Sequence, residues 1–461
     1  MTAMVEHLTK FNWQPQPATQ RLVDSFSDEL LRTCPPASTL ARRMKDETGT
    51  RFKDWIDHIR LPGTPETRAR AIEVGFEARP VDGEPYNFVC DLGIFPSLVL
   101  DPGARGITVA LKVDSVTEFL SVHNLAKPTV YGEPFSQLRF ATAFEGDNGS
   151  TMVIERHGWR GYAPLPSNPA KQIAAVRHLE SFCRRERFNT GDAAGFDDMN
   201  CRVDASIADI GRDWTCDLFF EAERRYWMRR NRASQVQYGR QCKLGLGWAN
   251  HDHHTYRCSR DTFTDLVALW EKLGFHCREA FYAGAEAGWG AQVMEAPVTG
   301  ITTFNDVDMS PEELLGDFSH RGFTERRDKL GTVGLWCALH GEALLQAGMH
   351  HLECQFDWHA LVEQLERTAS VKTMAPFTTF PYLRQAFTEG ERWTIDPKRI
   401  DRVLADGYIT REQADLFRAS GAIGSHMENL ERNDGFKGFN QQGVSDIIAR
   451  TDPRRVAAMG T

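Results

Sequence analysis

Asn250-His251-Asp252-His253-His254-Thr255-Tyr256-Arg257 and Met349-His350-His351-Leu352-Glu353-Cys354-Gln355-Phe356 are the two stretches on which the reading of this chain turns. Both read as short strands, in which successive side chains point to opposite faces. In the second, His350, Leu352, Cys354 and Phe356 share a largely apolar face, and His351, Glu353 and Gln355 share a polar one. In the first, His251, His253, Thr255 and Arg257 fall on one side, with His254, Tyr256 and Cys258 on the other. A sheet packed on one face and carrying imidazoles on the other implies a lined cavity, and a cavity lined by imidazoles is a place for a metal.

Each histidine strand opens a similar succession of elements. After the first, Phe263, Leu266, Val267 and Trp270 stand at helical spacing, and the pattern stops at Leu273-Gly274-Phe275, where glycine suits a helix end. Strands are expected at Ala280–Tyr282, Ala291–Glu295 and Gly300–Phe304, and Ser310-Pro311-Glu312-Glu313 then opens a helix. After the second come a helix from Trp358 to Leu365, strands near Phe377–Phe380 and Leu383–Phe387, a helical insert at Asp396–Arg418 and a final segment from Gly424. The expected fold is therefore α+β, with repeated βαβββ modules closing a cupped sheet around a metal site.

Upstream, residues 16 to 60 read as helical, with Leu22, Phe26, Leu30 and Leu31 at helical spacing. Strands at Phe95–Leu100, Gly106–Val113, Gln137–Phe144 and Ser150–Arg156, with a short helix at Val116–Leu120, suggest one further βαβββ unit. Residues 168 to 245 read as helices rich in Arg and Trp. The division expected is an N-terminal helical segment plus module over 1–165, a helical connector over 166–245 and the paired metal-binding modules over 246–461.

Composition excludes several classes. The 461 residues are 41% hydrophobic, enough for real cores, and carry 54 basic against 63 acidic side chains. That balance gives no support for a nucleic-acid surface, and the run Arg224-Arg225-Tyr226-Trp227-Met228-Arg229-Arg230-Asn231-Arg232 reads as the solvated face of a helix with Tyr and Trp packed inward rather than as a nucleic-acid patch. No run of 18 apolar residues occurs, so no membrane span is expected. Met1–His7 lacks the layout of a secretory signal. The ten cysteines form no C-x-x-C pair, as free thiols in a reducing compartment do. A cytoplasmic location is the expectation.

Two imidazoles need a third ligand, and a carboxylate completes the open-sided iron sites of oxygenases. Glu428 in Gly424-Ser425-His426-Met427-Glu428 is the best placed, with Glu431 and Glu295 as competitors. Arg257, four residues after His253 on the same face, has the planar fork that grips a carboxylate. His254 and His350 are read as packed-face groups, and His251 and His426 as partners behind the ligands. Taken singly, a strand histidine is more often a hydrogen-bonded core or surface residue than a ligand; two of them at the first strands of successive repeats bring the two readings level.

The segment from Asp252-His253-His254-Thr255-Tyr256-Arg257 through Leu273-Gly274-Phe275 to Met309-Ser310-Pro311 resembles the first module of the 2-oxoadipate dioxygenase/decarboxylase family. So does the pairing of Gly348-Met349-His350-His351 with His426-Met427-Glu428-Asn429-Leu430-Glu431-Arg432 and Asp434-Gly435-Phe436. The resemblance covers roughly residues 250–461. It implies a vicinal-oxygen-chelate-like fold and an iron(II) enzyme. Such an enzyme decarboxylates a 2-oxo dicarboxylic acid with dioxygen and hydroxylates what remains, giving a 2-hydroxy acid. By position it implies His253, His351 and Glu428 as metal ligands and Arg257 as the substrate-binding arginine. About 250 residues precede the first of these histidines, more than the family leads one to expect.

Glu155-Arg156-His157-Gly158-Trp159-Arg160 mimics the histidine motif, but its arginine follows after three residues rather than four. With no matching histidine on the strand at Ile107, the N-terminal unit is read as a degenerate, metal-free copy in preference to a second site. Thr378 or Thr379 is expected to add a hydrogen bond to substrate. Other divalent-metal enzymes of this fold remain open, namely isomerases, lyases and extradiol dioxygenases, as does a non-enzymatic small-molecule or metal-binding protein.

Overall fold

The computed structural model describes residues 13–187, 192–284, 287–323, 329–440 and 452–456. The chain is α+β, built from repeated βαβββ modules in two sheets. After helices Pro17–Thr33 and Pro35–Arg43 come β1 (Ile56–Pro62), β2 (Glu77–Ala78), β3 (Asn87–Val89), β4 (Ser97–Asp101), β5 (Ile107–Lys112), β6 (Leu138–Glu145) and β7 (Gly149–Arg156). Their order in the sheet is β2-β3-β4-β1-β5-β7-β6. β1 runs parallel to β4, β5 runs parallel to β7, and β1 meets β5 antiparallel. This half is therefore itself a pair, one full βαβββ module and one a strand short, rather than the single copy expected.

The opening strand of that pair lies inside the stretch read as helix. Phe52, Trp55, Ile56 and Ile59 fall at a spacing that mimics a helical stripe, whereas the chain leaves a single 3-10 turn at Phe52–Trp55 and enters β1. β2 and β3 span two and three residues, too short to show alternation.

His157 follows β7 and joins this sheet to the helical layer. Its Nδ1 lies 2.9 Å from Asp217 Oδ2 and its Nε2 3.2 Å from Glu155 Oε1. Burial opposes the charge, yet the two carboxylates hold the imidazolium and raise its pKa to about 10. A raised value stabilises the fold fully below the ordinary histidine range, and that contribution declines as pH climbs toward 10. His157→Gln is expected to cost on the order of 2 kcal/mol near pH 6. The gap to wild type should close steadily in denaturation series run up to pH 10; a pH-independent difference would contradict the ion pair.

Helices Pro169–Cys183, Asp192–Ile210, Arg212–Met228 and Arg232–Cys242 follow, the first and last capped by Asn168 and Asn231 side chains accepting from backbone N–H groups. They share one core with the second sheet, where Phe219 and Phe220 pack edge-on and tilted against Trp270 with ring centroids 5.7 and 5.1 Å apart. In the basic run Trp227 is buried and Arg225 and Arg229 are exposed as expected, but Arg224 is buried beside His254.

The second sheet contains β8 (His251–Arg257), β9 (His276–Tyr282), β10 (Trp289–Ala296), β11 (Ile301–Asp308), β12 (His351–Gln355), β13 (Thr378–Phe380), β14 (Leu383–Phe387), β15 (Glu391–Trp393) and β16 (Ala422–Arg432). Its path is β13-β14-β16-β12-β8-β11-β10-β9, with β15 pairing on β16. β8 is parallel to β11, β12 is parallel to β16, and β8 meets β12 antiparallel at the centre. Two complete modules thus meet at the histidine strands. Helices Phe263–Lys272 and Trp358–Ala369 cover the convex face with the apolar stripes read from sequence; Phe263, Leu266, Val267 and Trp270 are all buried. No described helix is long and apolar enough to cross a membrane.

Candidate metal centre

The register of the central strands decides which side chains meet in the cup. Glu353 on β12 lies opposite Glu428 on β16, and Glu428 opposite Phe387 on β14. One step along, His426, His351 and Thr255 form a second row across β16, β12 and β8. Between His351↔Thr255 and Cys354↔His251 the pairing slips, so that Asp252 and His253 together face Glu353. This is a β-bulge, two residues against one, and bulges re-aim side chains beside functional sites.

The bulge has two consequences that simple alternation does not anticipate. His251 turns to the packed face with His254, their ring centroids 5.2 Å apart, and so is no partner of the ligands as the sequence suggested. Asp252 turns into the cup, where its carboxylate lies 3.0 Å from His253 Nδ1 and accepts from Arg432 Nε and Nη2 at 2.9 and 3.0 Å.

His253, His351, Glu353 and Glu428 each place a donor atom within 4.8 Å of the others, and all four are buried. His351 Nε2 is 3.2 Å from Glu428 Oε2 and 2.7 Å from Thr255 Oγ1. Two donors at right angles on one ion, each about 2.1 Å away, stand roughly 3.0 Å apart, and opposed donors about 4.2 Å. The group needs only a slight contraction to share an ion. The imidazoles of His253 and His351 have centroids 6.3 Å apart at 74°, flanking the carboxylates.

The donor chemistry fits a divalent cation. Glu353 and Glu428 are buried carboxylates beside that of Asp252, which pairs with Arg432; among the described residues no guanidinium pairs with Glu353 or Glu428, in a place that punishes unpaired charge. Burial and the adjacent Glu353 push the Glu428 carboxyl well above its usual range. Burial, His253 and His426 hold the His351 imidazole well below its own, and its Nδ1 has no partner among the described residues. A neutral imidazole at His351 and a carboxylate pair relieved of mutual repulsion are what a 2+ ion requires and rewards.

Gln385 on β14 steadies both carboxylates, donating from Nε2 to Glu353 Oε1 at 3.2 Å and Glu428 Oε1 at 3.1 Å. Thr378 Oγ1 donates in turn to Gln385 Oε1 at 3.1 Å. Thr378 therefore stands behind the wall, and Thr379 is exposed, so neither lines the cavity as the sequence reading proposed. Gln385→Leu is expected to weaken metal binding by about 10- to 100-fold. Calorimetric titration of metal into the variant measures this; unchanged affinity would remove Gln385 from the site.

Arg257 points into the same cavity, beneath the Trp336 ring at 5.7 Å, with its Nε 3.7 Å from Asp306 Oδ2. Asp306 lies directly opposite it in the β8–β11 register. Burial drives the Asp306 carboxyl up to about 8 against the pull of Arg257, and burial lowers the Arg257 guanidinium. Rings of Phe281, Trp289, Phe304, Phe377, Phe387 and Phe439 complete a cavity of about 550 Å³ including its mouth.

The other sequence candidates lie elsewhere. Glu431 is on the opposite face of β16, accepting from the Trp358 N–H at 2.9 Å, and Glu295 pairs with Lys437 and Arg278. His350 precedes β12 and reaches the cavity margin rather than the packed face, with Nδ1 3.0 Å from the Gly424 carbonyl. His426 sits behind His350, its Nδ1 2.9 Å from the Thr388 carbonyl. Sequence reasoning missed Glu353, Asp252, Gln385 and Asp306. Glu353 was visible as the alternate neighbour of His351; the other three depend on a bulge or on pairing between distant strands.

No protein-family model matches this chain, and no curated protein is similar to it. Among solved structures, a glyoxalase superfamily protein of Ralstonia eutropha JMP134 is 12% identical, over 59% of this chain and 100% of that one, with a TM-score of 0.35. A variant of 4-hydroxymandelate synthase from Streptomyces coelicolor is 14% identical over 76% and 96%, with a TM-score of 0.25. Methylmalonyl-CoA epimerase from Mycobacterium tuberculosis is 13% identical over 40% and 88%, with a TM-score of 0.23. Nothing about the chemistry of this chain follows from likenesses this low.

Proposed function

We propose that the chain is an iron(II)-dependent oxygenase that decarboxylates and hydroxylates a 2-oxo (di)carboxylic acid such as 2-oxoadipate, consuming dioxygen and giving a 2-hydroxy acid. The observation that carries this reading is the convergence of two imidazoles and the Glu428 carboxylate on one buried point, with Arg257 in the same cavity. An iron(II) ion held there supplies chelation of a 2-oxo acid and redox chemistry toward dioxygen.

The chain's own residues do the rest. Four residues of strand separate His253 from Arg257, about 13 Å at the usual rise, so Arg257 suits the far carboxylate of an extended acid. The aromatic walls hold the carbon chain between and exclude water. Burial favours the protonated form of Asp306, which weakens its hold on the Arg257 guanidinium 3.7 Å away and so favours exchange for a substrate carboxylate. One dioxygen is consumed for each carbon dioxide released.

A second reading rests on Glu353. If all four donors bind, a six-coordinate ion keeps two positions, which a chelating substrate fills, leaving none for dioxygen. That set suits a metal-dependent isomerase or lyase. Oxygen-electrode assays of the iron-loaded protein with a panel of 2-oxo acids separate the two: the oxygenase takes up oxygen in step with carbon dioxide, and the alternative converts substrate with no uptake. Arg257→Met is expected to lower kcat/KM for oxo acids by about two orders of magnitude. A variant with unaltered kcat/KM would remove Arg257 from substrate binding.

A further inference from the structure

At the edge of the same sheet, outside the cavity lining, three side chains of metal-binding type converge, and we propose that Glu271, Cys277 and His320 form a second metal site of the zinc class. One donor atom from each lies within 4.8 Å of the others, on three different elements. Glu271 lies in the last turn of helix Phe263–Lys272, Cys277 is the second residue of the edge strand β9, and His320 sits in the short helix Phe318–Arg321. None of the three lines the cavity.

The imidazole is already aimed. His320 Nδ1 lies 2.8 Å from Asp317 Oδ1, which leaves Nε2 directed at Glu271 Oε1, also at 2.8 Å. A carboxylate on one ring nitrogen is the arrangement that orients a metal-binding histidine and raises the basicity of the other. The two residues before His320 are held in place. Phe318 stacks on Phe263 with centroids 5.8 Å apart, and Ser319 Oγ donates to Gln292 Oε1 at 2.9 Å. A thiolate, an imidazole and a carboxylate are a borderline-soft set that selects zinc or cadmium over magnesium or calcium.

With three protein donors the fourth tetrahedral position falls to water. His320 and Glu271 are exposed and Cys277 half-buried, so the ion enters from solvent without opening the fold. Binding releases the Cys277 thiol proton to solvent. The bound ion would tie the helix of the first metal module to its edge strand and to the segment that follows β11.

Cadmium titration of chelator-treated full-length protein tests this, read by the ultraviolet absorbance of thiolate-to-cadmium charge transfer. Wild type and His351→Ala are expected to reach the same final band, wild type after up to about one further equivalent of cadmium, because its cavity competes for the ion but supplies no thiolate. Cys277→Ser should abolish it, and His320→Gln should move the midpoint to at least about tenfold higher cadmium. Melting curves of Cys277→Ser and of the exposed-site variants His320→Gln and Glu271→Gln establish that they fold. A band that survives Cys277→Ser, or midpoints unchanged in both His320→Gln and Glu271→Gln, overturns the site.

Discussion

His253→Ala, purified without oxygen and loaded with iron(II), is expected to retain less than about a tenth of the iron bound by wild type and to lose turnover by three orders of magnitude or more. The reason lies in how much converges on that ring. It stands at the bulge between Asp252 and Glu353, its Nδ1 in contact with both carboxylates, and packs edge-on to Phe439 with centroids 4.9 Å apart. Removing it takes away one imidazole of the donor set and lets water into the cup. Metal-linked stability should go with it. An ion at a hundred times its Kd stabilises the folded state by about 2.7 kcal/mol, so wild type should melt higher with iron than without, and the variant should not. Stoichiometric iron and full turnover in His253→Ala would contradict the assignment.

The second large effect is one of stability. Arg432→Leu is expected to destabilise the protein by about 3–5 kcal/mol, because it strips the partner from a buried carboxylate. Burial pushes the Asp252 carboxyl up, but Arg432 and His253 outweigh it and hold it below the usual range. Arg432 also donates through Nη1 to the carbonyls of Phe436 and Gly438, at 3.1 and 2.7 Å, fastening the segment that carries Phe439 over the cavity. Combining Asp252→Asn with Arg432→Leu removes the stranded charge, so the double variant should recover part of the loss in a denaturant titration. A single variant within 1 kcal/mol of wild type, or a strictly additive double variant, would contradict a buried, coupled pair.

Much of this was legible in the chain because periodicity is local. The helix stripe Phe263, Leu266, Val267 and Trp270, the alternation at His351 and Glu353 and the glycine after Leu273 each need only a few neighbouring residues to be read. Alternation puts Arg257 on the face of His253, while His351 and Glu428 join them only through the resemblance; the structure brings the four side chains to one cavity. What escaped depends on partners distant in sequence. The bulge at Asp252 and His253 exists only against β12, and it reverses His251 and Asp252 relative to strict alternation. Asp306 meets Arg257 through parallel pairing of β8 and β11, and Gln385 reaches Glu353 and Glu428 across β14, β16 and β12. The first N-terminal module was hidden for another reason, since Phe52, Trp55, Ile56 and Ile59 imitate a helix while the backbone enters a strand.

Anomalous diffraction at the iron edge, from crystals grown and loaded without oxygen, examines the centre itself. The expected result is one strong peak about 2.1 Å from a ring nitrogen of His253, a ring nitrogen of His351 and a carboxylate oxygen of Glu428, with the distance to Glu353 deciding between three donors and four. Full iron occupancy with no peak among these side chains would contradict the account.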